Sequence, residues 1–175
     1  VGRAIEQKIL ENASYIKSMP LKVAEDITKF VQTETYNGLR SSEISKALQE
    51  KVKGYSKAKA DLIARTEASK AMTALTEARS RDVGVKWYQW RTADDARVRN
   101  SHAHMEGVLV RWDEPPAPEE LAGQKSLGRY NAGNIYNCRC YPAPVITLKH
   151  IIWPAKVYYN GSIQRMSKDQ FEKIM

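Results

Sequence analysis

Apolar residues recur at three- and four-residue spacing through the first 80 or so positions, the period of a helix buried along one face. Ile5, Ile9 and Ile16, with Leu10 and Ala13 alongside, mark a first stripe that ends before Pro20. Val23, Ala24, Ile27, Phe30 and Val31 mark a second, and Asn37-Gly38 supplies its stop. A third carries Ile44, Leu48 and Val52 between a cap at Ser41-Ser42 and Gly54. The fourth and longest runs from a cap at Ser56 to about Arg81 and stops before Gly84. Its small residues (Ala58, Ala60, Ala64, Ala68, Ala71, Ala74 and Ala78) allow close helix approach, and Leu62, Ile63, Met72 and Leu75 are its expected core.

At Val85 the period changes. Residues 85–92 are rich in aromatic residues and bounded by Gly84 and Asp94-Asp95, which predicts a strand with bulky groups on both faces. A short helix is expected over 95–105, ending at Gly107, and a second strand over 108–112, stopped by Asp113-Glu114-Pro115-Pro116. Residues 113–137 hold Pro, Gly and Asn and few aliphatics, a long loop that something must tie down. Arg139 to Ile146 reads as a third strand, which Pro142 and Pro144 confine to a sheet edge. Val157-Tyr158-Tyr159 followed by Asn160-Gly161 signals a hairpin, and Ser167 with Gln170 is a capping box opening a terminal helix through Phe171 and Ile174. The expected class is α+β: an N-terminal helical half of about four helices, then a small sheet-containing domain. The divisions are 1–82, helical; 83–146, small α+β; and 147–175, a C-terminal hairpin and helix extension.

Composition narrows the function classes. The 175 residues are 42% hydrophobic and 27% charged, as in ordinary globular chains. Their longest apolar runs fall far short of the roughly 20 residues a bilayer span needs, so no membrane partner is expected. Charges run throughout the N-terminus, against a signal peptide, and the opening Val suggests a processed chain or one cut from a longer protein. Two cysteines do not make a disulfide framework. The net charge of +8 is uneven: +2 over residues 1–53, +4 over 54–91, −1 over 92–142 and +3 over 143–175. No run of five like charges occurs, so the charge suits weak, salt-sensitive phosphate contact rather than a nucleic-acid-gripping arm.

The near-neutral stretch carries the chemistry. It holds the string D-x-R-x-R-x-x-H from Asp95 to His102, then His104-Met105-Glu106-Gly107, and finally Asn137-Cys138-Arg139-Cys140. Both cysteines and two of the three histidines lie there. Imidazole with two thiols suits zinc, which takes four tetrahedral N/S ligands in structural sites. His102 and His104, two apart on a helix, point about 200° from each other and do not share an ion. The candidate ligands are His102, Cys138 and Cys140, with the fourth unassigned. A plainer reading makes the cysteines small buried hydrophobes and His102 a hydrogen-bonded structural histidine. A third compares His104-x-Glu106 and the cysteine pair with the zinc deaminase pattern, although these cysteines are one residue apart and no Pro precedes them. A metal-independent nuclease built on His102 or His104 with nearby Arg and Glu is a fourth. There is no G-x-S-x-G, Walker loop, H-E-x-x-H or Rossmann fingerprint.

Taken together, Ala64-Arg65-Thr66-Glu67 in the long helix, the aromatic strand ending in Trp90-Arg91-Thr92, the D-x-R-x-R-x-x-H-x-x-M-E-G string and N-C-R-C resemble the phage Mu F-like minor head (head morphogenesis) proteins. The resemblance covers about residues 20–146. It implies a phage or prophage virion component, associated with the portal inside the procapsid, with portal and capsid proteins as partners. It also implies a location in the capsid interior, and in the host cytoplasm during assembly. Contact with double-stranded DNA during packaging or ejection, independent of sequence, would fall on Lys57, Lys59, Lys70, Arg79 and Arg81. The resemblance carries Arg65, Glu67, Asp95, Arg97, Arg99, His102 and Arg139 over as a structural polar knot, clamping the helical half to the β half. In it Asp95 would pair with Arg65 or Arg97, Arg139 with Glu67 or Asp95, and His102 would lie against the cysteines. Some members have C-x-x-C where this chain has Arg99 and His102, and His-Pro-Asn-Cys where it has Ile135-Tyr136-Asn137-Cys138, so zinc is a candidate cofactor with an incomplete ligand set. No enzymatic activity is expected. The alternative is a small nucleic-acid-acting enzyme or toxin-like domain using His102, Glu106 and the C-x-C pair.

Overall fold

The computed structural model describes residues 20–175, and the helix expected before Pro20 lies outside them. Two compact units divide the chain: the residues up to Ala78 with Ile135–Asn137, and Arg79–Asn134 with Cys138–Met175.

The first unit is built from helices α1 (Leu21–Tyr36), α2 (Ser41–Lys51) and most of α3 (Lys57–Asp82). Their stripes converge in one core of Ile27, Val31, Ile44, Leu48, Ala60, Ile63 and Ala64. Local chemistry fixes the ends. Glu43 reaches back to the Arg40 main-chain N–H at 2.8 Å, so the cap of α2 is Arg40, one residue ahead of the expected serines. Ser56 Oγ accepts from the Lys59 N–H at 3.2 Å and opens α3. Leu62 and Met72, expected in the core, are exposed; the alanine face of α3 takes that place. Small alanines let the neighbouring backbone approach that face closely, and Leu62 and Met72 point away from it.

The second unit is organised on β1 (Trp87–Arg91), β2 (Leu109–Arg111), β3 (Tyr141–Pro144), β4 (Ala155–Tyr159) and β5 (Ser162–Met166), in the order β3-β1-β2-β4-β5. All pairings are antiparallel except β2 with β4. Pro142 and Pro144 sit on the edge strand β3, where a missing N–H costs least. Trp87 faces one side of β1 with Leu109, Ala155, Val157, Met166 and Phe171, the last from the capped terminal helix Lys168–Glu172. Tyr88 and Trp90 face the other side, toward the long loop. The strand therefore buries aromatic groups on both faces, each removing about 150–250 Å² from water.

The loop after β2 is tied down by polar anchors. Tyr88 donates from its hydroxyl to Asn131 Oδ1 at 3.1 Å, and Asn131 donates to the Trp112 carbonyl at 3.2 Å. A short helix, Pro118–Leu121, interrupts it. The helix expected over 95–105 shrinks to α4 (Asn100–His104), because the Asp95 carboxylate accepts the Arg97 N–H at 3.0 Å and holds a turn instead. Cys138 and Cys140 lie in irregular chain just ahead of β3 and not within a strand. Asn160-Gly161, both at positive φ, makes the two-residue turn between β4 and β5.

Candidate functional site

The second unit encloses a cluster of polar side chains. Helix α4 supplies Ser101 and His102, the loop supplies Glu119 and Tyr130, and the chain ahead of β3 supplies the cysteines. Tyr130 donates its hydroxyl to Glu119, whose two carboxylate oxygens are both 2.7 Å away, and Ser101 Oγ donates to Oε1 at 3.2 Å. His102 Nε2 lies 3.0 Å from the Tyr130 oxygen. With the phenol proton committed to Glu119, that oxygen accepts from His102 Nε2–H, which assigns the tautomer and leaves the Nδ1 lone pair free. Nδ1 faces both sulfurs, 3.5 Å from Cys138 Sγ and 3.4 Å from Cys140 Sγ. Trp90 stands edge-on to the imidazole, ring centroids 5.8 Å apart. His102 is 1% exposed and Cys138, Cys140 and Glu119 are each 3% exposed, so the cluster is closed to solvent.

Burial and pairing set its electrostatics. The Cys140 thiol beside it holds Cys138 well below the ordinary thiol range, against burial. Cys140 is pushed up by that same hydrogen bond and then by burial. Burial first, and the bond to Glu119 second, raise the Tyr130 hydroxyl and keep it a donor.

The other candidate residues make contacts of their own. Arg139 Nη2 meets Asp95 Oδ2 at 2.7 Å, and Arg97 Nη2 meets the same oxygen at 3.2 Å. Arg99 is the N-cap of α4, and its charge acts on Tyr130. In the first unit Arg65 Nη1 donates to Asn137 Oδ1 at 3.1 Å, and Thr66 Oγ1 accepts from the Asn137 N–H at 2.9 Å. Asn137 accordingly adopts φ +49°, a region Asn tolerates. Glu67 pairs with Lys70 at 3.1 Å.

Lys70, grouped above with the DNA-contacting cations, is 6% exposed and held in that buried pair, so it leaves the set. Lys57, Arg79 and Arg81 are exposed, and the Lys59 ammonium lies 4.6 Å over the Tyr55 ring. Glu106 is committed elsewhere, accepting from the Thr92 N–H at 2.6 Å and pairing with Arg91 at 3.2 Å. His104 is exposed, away from the metal-capable trio of His102, Cys138 and Cys140. Sequence reasoning missed Tyr130 and Glu119. The available signals were the tyrosines of a loop with few aliphatics and a carboxylate directly after Pro118.

Residues 25–143 match the family described as Phage Mu protein F like protein, more than half of the chain. The chain belongs to that family. This Mu F-like domain, a phage head morphogenesis domain, is also 31% identical over 135 residues to a Haemophilus influenzae protein named "Uncharacterized protein". The match covers 77% of this chain and 28% of that relative, so the chain spans less than a third of the relative's length. No solved structure matches it. Among the described residues no helix is long and apolar enough to cross a membrane.

The zinc implied by family members with fuller ligand sets can be tested on this domain's own donors. Tetrahedral zinc, with bonds of about 2.3 Å to sulfur and 2.0 Å to nitrogen, separates those atoms by about 3.5 Å. The two Sγ···Nδ1 distances of 3.5 and 3.4 Å meet that requirement. Tyr130 and Glu119 behind Nε2 are the support a ligating histidine uses. Three positions fit; among the described residues no fourth His, Cys, Asp or Glu joins them.

Proposed function

We propose that this Mu F-like domain is a structural component of a phage head, associated with the portal inside the procapsid. The buried cluster holds its β unit together and carries out no chemistry on a substrate. Beyond family membership, the observation that carries this reading is closure: no member of the His102, Cys138, Cys140 and Glu119 set is more than 3% exposed. A nucleic-acid substrate has no path to such a group, and the Glu106 that the enzyme reading requires is bound to Thr92 and Arg91. DNA contact belongs on this reading to the outward cations Lys57, Lys59, Arg79 and Arg81, and is independent of sequence and steeply weakened by salt. The test is co-expression with the portal protein encoded in the same phage genome, followed by imaging of assembled procapsids. Density for this domain at the portal vertex is expected, and procapsids that assemble without it there would reject the assignment.

A second reading concerns the cofactor and rests on the sulfur–nitrogen spacing. A zinc ion held by His102, Cys138 and Cys140 would act as a structural cross-link between α4 and the chain ahead of β3. Elemental analysis of protein purified without chelator decides it: about one zinc per chain supports it, and none rejects it.

A further inference from the structure

The β4–β5 hairpin places charge where an isolated sheet gains nothing from it. Its two-residue turn closes on the pair Tyr159 and Ser162, so the hydrogen-bonded pairs are Tyr159/Ser162, Val157/Gln164 and Ala155/Met166. Lys156/Arg165 and Tyr158/Ile163 are then non-hydrogen-bonded pairs, whose side chains approach most closely. Two cations face each other directly at such a pair, an arrangement that destabilises a hairpin. Arg129 adds a third on the same face, donating to the Tyr158 hydroxyl at 3.2 Å. Among the described residues none of the three has a carboxylate partner. Protecting an edge from aggregation requires only the charge on the edge strand itself, so Lys156 on the inner strand remains unexplained.

The same register turns the N–H and C=O of Ile163 and Arg165 outward, on an edge that pairs with nothing among the described residues. The opposite edge is blocked by Pro142 and Pro144; this one has no proline. We infer that the outer edge of β5 receives an acidic extended segment of a partner protein as a sixth strand. Its carboxylates meet Arg165, Lys156 and Arg129, and its main chain pairs with Ile163 and Arg165. A peptide strand satisfies both the donors and the acceptors of that edge, whereas a phosphodiester backbone offers acceptors alone.

The probe is a labelled peptide of alternating Glu and Val, titrated into the full chain by anisotropy and by amide-resolved NMR. Binding with new exchange protection at the Ile163 and Arg165 amides is expected. Arg165→Glu, at an exposed position, is expected to weaken binding about tenfold and to recover it with a Lys-Val peptide. The same Glu-Val peptide N-methylated at alternate residues is expected not to bind. Equal binding of the methylated peptide, or unprotected amides at 163 and 165, overturns the proposal. So does a DNA duplex that occupies the three cations more tightly than the peptide.

Discussion

Tyr130→Phe removes one oxygen and leaves the ring's packing against Trp90 and His102 in place. That oxygen is the donor 2.7 Å from both oxygens of Glu119 and the acceptor 3.0 Å from His102 Nε2. Glu119, 3% exposed, keeps Ser101 Oγ at 3.2 Å and a longer approach of 3.5 Å from His102. A hydrogen bond to a charged group contributes about 1.5–3 kcal/mol, and a buried acceptor left short of partners adds a desolvation penalty. The expected loss is about 2–4 kcal/mol. At about 2–4 °C per kcal/mol for a chain of this size, Tm falls by about 4–16 °C. The assay is thermal and urea unfolding of Tyr130→Phe, Glu119→Gln and the double variant, with Tyr141→Phe, at an exposed tyrosine, as the control expected within about 0.5 kcal/mol of the parent. The double variant should be less damaged than the sum of the singles, because Tyr130→Phe removes the bond that Glu119→Gln weakens by taking away its charge. A Tyr130→Phe protein within about 0.5 kcal/mol of the parent, or strict additivity, would refute the reasoning.

Three further outcomes are expected. Lys70→Ala leaves Glu67 buried without its 3.1 Å partner and should cost about 3–5 kcal/mol by urea unfolding, where an exposed lysine such as Lys57 should cost almost nothing. Leu48→Ala, in the core of the helical unit, should cost about 2–5 kcal/mol, whereas Leu62→Ala, at an exposed position, should stay within about 0.5; equal losses would contradict the packing described. Asp95 is lifted by desolvation but lowered more by the Arg97 N–H and by the Arg139 and Arg97 charges, so its folded pKa lies below the unfolded value. Its contribution is therefore complete above about pH 4 and lost as pH falls through the folded value. Stability measured from pH 6 down to pH 2 should fall less steeply at the acid end in Asp95→Asn than in the parent.

Much of the architecture was legible because local chemistry and tertiary packing agree. The Ser167/Gln170 capping box forms with both bonds, at 2.8 and 3.3 Å. The prolines of β3 sit on a sheet edge, and the aromatic strand buries rings on both faces. The misreadings fall where burial overrules the pattern. Leu62 and Met72 match the helical period as well as Ile63 does, but the alanines of α3 set which face packs. Lys70 reads as a surface cation until Glu67, one turn earlier, is found buried beside it. In the cluster, His102 and the cysteines stood out because those residue types are rare in the chain. Tyr130 and Glu119, eleven residues apart in a loop without periodicity, left no comparable trace; only the fold makes them one hydrogen-bonded group.

The central claim is that the histidine–cysteine cluster serves the fold. The urea unfolding midpoint of His102→Ala tests it most directly, because that change cuts the bond to Tyr130 and removes the group facing both sulfurs at once. A structural cluster predicts a loss of about 3 kcal/mol or more, from an emptied buried site and the polar partners it leaves behind. A midpoint within about 0.5 kcal/mol of the parent would contradict the account.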